Sequence, residues 1–425
     1  MKSWKKFAVL GLILLLLAAV QVVWAGGGQE QKAAVKEISF LTWNLPHYED
    51  AIMGWVADFE AEFPNAKAKW IDRKGSELPT YFQTQLAAGS APDIIEIQSV
   101  LWYEYADKGV LMPLTPYLNK EPAIKDRFTP SSFEAASRFG DDYYLLPTYV
   151  PSSLLFMNKP MFAAAGLSGA PQTMEQLLSY SEKLTSGQNS GFITLNFDWL
   201  YWPLFRANGV RILTDDKSKA AFNTPAAVQV LKNLTRLTIS GAIPGVAWTG
   251  RWAEPNGAFG AGSIGMHHAH TPALASFMSQ SEWANNDTVG IDTFPGGWSV
   301  PNYHGVGIVS TTKQADLAWE FIKVMTNEKW AESMIRVIGP LSGNAAADRA
   351  VINNAEFKKE HPLTVKMFET QLSPKLKLTG LTNIAEDAQV KDAVYRNLQK
   401  AIFGEVSAEK ALADAEKAVN DILSK

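Results

Sequence analysis

Between residues 38 and 97 the apolar period of the chain switches back and forth, and that alternation limits the fold more than any other feature. Residues 38–43 read as a strand with apolar Ile38, Phe40 and Leu41. Ile52, Val56, Phe59 and Phe63 then recur at helical spacing until Pro64 stops them. Residues 66–71 read as a second strand, 79–88 as a helix and 93–97 as a third strand. Strands separated by helices imply a parallel sheet, whose ligands sit at the carboxyl ends of the strands. Here those ends are Trp43-Asn44 and Gln98-Ser99.

The first residues read as an export leader. Lys2, Lys5 and Lys6 precede an apolar run over residues 7–20, and Val23-Trp24-Ala25 resembles a small-residue cleavage site. A retained membrane anchor is the rival reading of residues 7–25. The triple glycine and polar residues that follow favour a cleaved leader over 1–25 and a flexible tail over 26–36. The chain has no cysteine. A cysteine-linked lipid anchor, disulfides and thiolate-held zinc or iron–sulfur clusters are therefore excluded. Without its leader the chain loses three lysines, so the formal charge of −4 becomes −7. That acidity argues against nucleic acid or an anionic membrane as partner. Removing 25 of the 425 residues leaves 400, more than one comfortable hydrophobic core, so two domains are expected.

Further along, Gly140-Asp141-Asp142 reads as a hairpin turn rather than an acid/base couple. Thr173 with Gln176 reads as a capping box, Thr224-Pro225 as a helix start and Ser407 as the cap of the last helix. Residues 260–265 match the dinucleotide fingerprint letter for letter, but a strand-like Met266-His267-His268 follows where a helix is required. A helix-to-strand turn is the better reading. There is no phosphate-binding loop and no nucleophile elbow.

His267, His268 and His270 crowd one segment, with His304 further on. On a strand, His268 and His270 share a face and His267 points away. No carboxylate nearby in sequence completes a metal set, so polar lining of a cleft is expected and no metal or cofactor. Among fourteen tryptophans, Trp43, Trp199, Trp202, Trp248, Trp252 and Trp298 fall in loop-like sequence. An indole offers a flat apolar face and one N–H donor, which suits the C–H faces and hydroxyl edges of a sugar. Trp55, Trp70, Trp319 and Trp330 lie on periodic segments and read as core.

Four stretches resemble the family 1 extracellular solute-binding proteins of ABC sugar importers. They are residues 85–95 ending in Pro92-Asp93-Ile94-Ile95, residues 144–167 with Leu146-Pro147 and Asn158-Lys159, residues 259–266, and Gly305-Val306-Gly307-Ile308 with residues 318–322. Their order and spacing from about Ile38 onward carry the match. The resemblance implies an α/β, two-lobed type II periplasmic binding protein fold with a hinge and an interlobe ligand cleft. It places residues 37–148 plus 309–341 in the N-terminal lobe and 149–308 plus 342–425 in the C-terminal lobe. Hinge crossings are implied near Thr148-Tyr149, Ile308-Val309 and Pro340-Ser342.

The implied activity is binding without catalysis. A monomeric periplasmic receptor takes a mono- or oligosaccharide and delivers it to an inner-membrane ABC permease. Candidate ligand-binding residues are Trp43, Asn44, Gln98, Ser99, Trp199, Trp202, Trp252, His268, His270 and His304. Trp199 and Trp202 stand where the family supplies aromatic platforms. Relatives often carry a glycine and a tryptophan where this chain has His268 and His270. Two other readings stay open. A phosphorylated polyol or other charged solute would use arginines such as Arg73, Arg206, Arg211 or Arg251. A secreted carbohydrate-active enzyme would use distant acids such as Glu77, Asp198 and Glu254.

Overall fold

The computed structural model describes residues 35–43, 45, 48–98, 102–380 and 382–425. The leader, Asn44 and Ser99 lie outside the described residues. The chain forms two α/β bodies, each around its own sheet. The first sheet runs in the order Ala66–Arg73, Lys36–Trp43, Ile94–Gln98, His304–Ile308, Leu146–Tyr149. Its first three strands pair in parallel, as the alternating periods require. The helix Glu49–Glu62 turns Ile52, Trp55, Val56 and Phe59 inward, and Phe321 meets Phe40 and Phe59 with ring centroids 4.7 and 5.1 Å apart. Trp55 and Trp319 are buried as expected. Trp70 and Trp330 are partly buried, their N–H groups bonded to Thr42 and Asp58.

One strand departs from the expected division. His304–Ile308 runs antiparallel to both Ile94–Gln98 and Leu146–Tyr149 and so completes the first sheet. The crossing expected at Ile308-Val309 therefore falls before His304. Two glycines make the fit possible. A Cβ on Gly305 or Gly307 would stand 2.9 or 2.7 Å from the Leu145 side chain.

The second sheet has the order Val289–Asp292, Ser153–Asn158, Ile264–His270, Ser190–Ile193. The helix Ala253–Gly260 precedes Ile264–His270 through a turn at Gly262 (φ 84°), so residues 260–265 are the helix-to-strand turn expected. Gly140 (φ 59°) turns the hairpin between Arg138–Phe139 and Asp142–Tyr143. The caps also form. Thr173, Thr224 and Ser407 accept from backbone N–H groups at 3.1, 3.2 and 3.2 Å. Gln176 turns back to the N–H of Gln172, one residue earlier than a standard capping box.

Candidate functional site

In the first body, three strands finish or begin at one edge of the sheet: Lys36–Trp43 at Trp43, Ile94–Gln98 at Gln98, and His304–Ile308 at His304. His304 pairs with Gln98 on one side and Tyr149 on the other. The His304 ring is sandwiched, with Trp43 stacked 5.0 Å away at 16° and Tyr149 3.9 Å away at 22°. Its Nδ1 lies 3.0 Å from Glu96 Oε1, and both side chains are buried. An acceptor there fixes the proton on Nδ1 and the plane of the ring. Burial first, then the Glu96 charge, push the Tyr149 hydroxyl up from its ordinary value. A flat, polar-edged aromatic wall results.

The second body carries an aromatic cluster of its own. Ile264–His270 ends at His270, and after Ser190–Ile193 the chain turns into the helix Asp198–Ala207, which places Asp198 and Trp199 in its first turn. The Trp199 and His270 rings lie 3.6 Å apart at 55°. His270 Nε2 is 3.1 Å from the carbonyl of Val300, so Nε2 carries the proton and Nδ1 is left as an acceptor. Beside them sits a buried ion triad. Lys391 Nζ is 2.9 Å from Asp198 Oδ2 and 2.8 Å from Asp387 Oδ2. Thr382 donates to Asp387, and the Asp198 N–H donates to Tyr395 Oη at 2.8 Å. Burial alone would lower the Lys391 ammonium, but the two carboxylates outweigh it and hold it above its ordinary value. Burial pushes Asp387 up against the pull of Lys391.

The two walls sense each other. Burial pushes His270 down to about 3, Asp198 opposes this, and His304 of the first body adds to it. Burial likewise raises the Tyr103 hydroxyl of the first body, and Asp387 of the second raises it further. His304 and His270, and likewise Tyr103 and Asp387, are thus near enough to influence each other from separate bodies.

Other expected site residues lie elsewhere. Trp202 is fully buried, packed near Phe205 and close against Gly380, so it is core and leaves no face for a ligand. His268 is also fully buried and stacks 4.3 Å from Phe294, which makes it a core ring. His267 points to the opposite face, against Phe259 and Phe277, as strand geometry requires. Trp252 stands 41% exposed, outside the ring contacts that build either wall. The residues missed by sequence reading are Glu96, Tyr149, Asp387 and Lys391. The i,i+4 spacing of Asp387 and Lys391 was the only local signal, and it resembles an ordinary surface pair.

The arginines of the charged-solute reading are engaged with neighbouring side chains, and Arg73 stands in register with Trp43 at the end of the first wall's strand. Arg251 pairs with Glu254 at 2.9 Å, Arg211 pairs with Asp215, Arg206 lies 4.7 Å over Trp298 and Arg73 lies 4.1 Å over Tyr81. The acids of the enzyme reading also have cationic partners of their own: Lys74 for Glu77, Arg251 for Glu254 and Lys391 for Asp198.

No helix among the described residues is long and apolar enough to cross a membrane. A protein of Brucella abortus designated a binding protein is 24% identical over 100% of this chain and 99% of its own length. The diacetylchitobiose binding protein of Streptomyces coelicolor is 24% identical over 70% of this chain and 74% of its own. An ABC substrate-binding protein of Listeria monocytogenes, solved in complex with cycloalternan, superposes with a TM-score of 0.77 at 20% identity, covering 92% of this chain and 99% of that one. The profile of the bacterial extracellular solute-binding proteins matches residues 46–332. With that profile covering more than half of its length, the chain belongs to the bacterial extracellular solute-binding proteins.

Proposed function

We propose that this protein is the periplasmic receptor of an ABC importer, which closes its two lobes on a mono- or oligosaccharide and releases it unchanged to an inner-membrane permease. The reading is supported by two aromatic clusters at the ends of strands of separate sheets, Trp43–His304–Tyr149 and Trp199–His270, which would form the two faces of the cleft. Rings contact the C–H faces of a sugar, while Gln98, His270 Nδ1 and the carboxylates of the triad take its hydroxyls. A relative named for diacetylchitobiose and a similar structure solved in complex with cycloalternan support a carbohydrate ligand. Two carboxylates, Asp198 and Asp387, share the one ammonium of Lys391 beside Trp199, and that local acid surplus disfavours a phosphate at the second wall.

In this reading the first lobe takes residues 37–148 together with a later segment that begins before His304, and the second takes most of the rest. A cleaved leader exports the chain, and the receptor works as a monomer. Ligand shifts the lobes only by its greater affinity for the closed form. Calorimetry across a panel of neutral saccharides tests the proposal, and heat from none of them, with heat from an anionic solute, would overturn it. On the saccharide that binds, Trp199→Ala should weaken affinity by about 2 kcal/mol, roughly 30-fold, through the lost ring face. Trp202→Phe should leave affinity within about twofold, because that ring packs only inside the lobe.

A further inference from the structure

A cavity of about 20 Å³ lies inside the first body, on the Glu96 side of His304. Trp55, Glu96, Thr148, Tyr149 and Thr326 form part of its wall. Two of these carry buried polar atoms that have no partner among the described residues, the Trp55 Nε1–H and Glu96 Oε2. Trp55 is 3% and Glu96 2% exposed, so bulk solvent does not serve them. A buried donor and a buried acceptor each left unmet are costly and rare in native interiors. A cation would satisfy the carboxylate and be repelled by the indole N–H, and an anion would do the reverse. Water is the smallest group that accepts from one and donates to the other.

Size agrees with chemistry. One water needs roughly 10–15 Å³ and two to four polar partners. Thr326 Oγ1 donates to the Ile322 carbonyl at 2.8 Å and keeps lone pairs for a third contact. We propose that a single ordered water occupies this cavity, accepting from Trp55 Nε1–H and donating to Glu96 Oε2. The other oxygen of Glu96 holds His304 Nδ1, so helix Glu49–Glu62, the water and Glu96 form a chain that ends at the cleft. Glu96 is then the positioning residue for His304.

The test uses the full chain with ¹⁵N-labelled tryptophan and histidine. Magnetisation transfer from solvent should reach the Trp55 indole N–H, assigned by its loss in Trp55→Phe, with the sign of a long-lived bound water. It should not reach the Trp319 N–H, which bonds Glu121 directly at 2.7 Å. A crystal structure should show one isolated oxygen within hydrogen-bond reach of both atoms, and this arm needs no variant. Absence of transfer at Trp55, an empty cavity, or density with metal coordination would overturn the site. For the positioning role, the Nδ1–H signature of His304 should be lost in Glu96→Ala and restored in Glu96→Gln. Its persistence in Glu96→Ala would remove that role.

Discussion

Lys391→Met should cost about 3–5 kcal/mol of unfolding free energy at neutral pH, the expected loss when one member of a buried ion cluster is removed. Asp198 and Asp387 would face each other with no cation between them, under side chains that are 7% and 1% exposed. Methionine restores the volume of the lysine stem, so the loss reports charge rather than a cavity. The companion variant, Asp198→Asn and Asp387→Asn added to Lys391→Met, should recover most of the loss because no uncompensated charge remains. Urea midpoints for the single and triple variants measure both. A single variant within about 1 kcal/mol of the parent would show that the triad is solvated and not buried.

The second large effect is a loss of stability in acid, traceable to buried histidines. Burial holds His267 and His270 at about 3 in the folded state, against an unfolded value of about 6.5. Below pH 6.5 the unfolded chain therefore binds more protons than the folded one. The stabilisation is complete above that pH and declines as pH falls towards 3. Each ring costs about 1.4 kcal/mol per pH unit, so the pair costs roughly 5 kcal/mol between pH 6.5 and 4.5. Asp348 works in the opposite sense. Burial pushes its carboxyl up to about 6, so it favours the folded state as pH drops through 6. The histidine share is isolated by His267→Gln, which should flatten the slope of stability against pH by about one proton. A variant slope equal to the parent's would mean that His267 is protonated in the folded protein.

The sequence made the three parallel strands of the first sheet legible because they and their helices carry clean, separate periods, whereas His304–Ile308 was assigned to the other lobe. Ile52, Val56 and Phe59 form the helical stripe expected of them, and Pro64 follows the helix end. The capping residues were equally readable, since Thr173, Thr224 and Ser407 act on groups three residues away. What escaped were contacts between distant positions. Nothing local marks Lys391 as the partner of Asp198, or Glu96 as the anchor of His304. Trp199 and Trp202 show the limit most directly. Three positions apart in one helix, they have similar surroundings in sequence, yet Trp199 meets His270 and Trp202 is sealed inside the lobe. His268 and His270 diverge for the same reason, because a strand end reaches the cleft and the position two residues earlier does not.

The placement of His304–Ile308 between Ile94–Gln98 and Leu146–Tyr149 has a consequence for biogenesis. The amino-terminal sheet stays split until a segment more than 150 residues beyond Tyr149 arrives, and closing so long a loop is slow. If a leader exports the chain as proposed, it emerges from the membrane in that incomplete state. Its inner edge strands stay open to water until translocation is well past the middle of the molecule, which delays compaction for as long as passage requires an extended polymer.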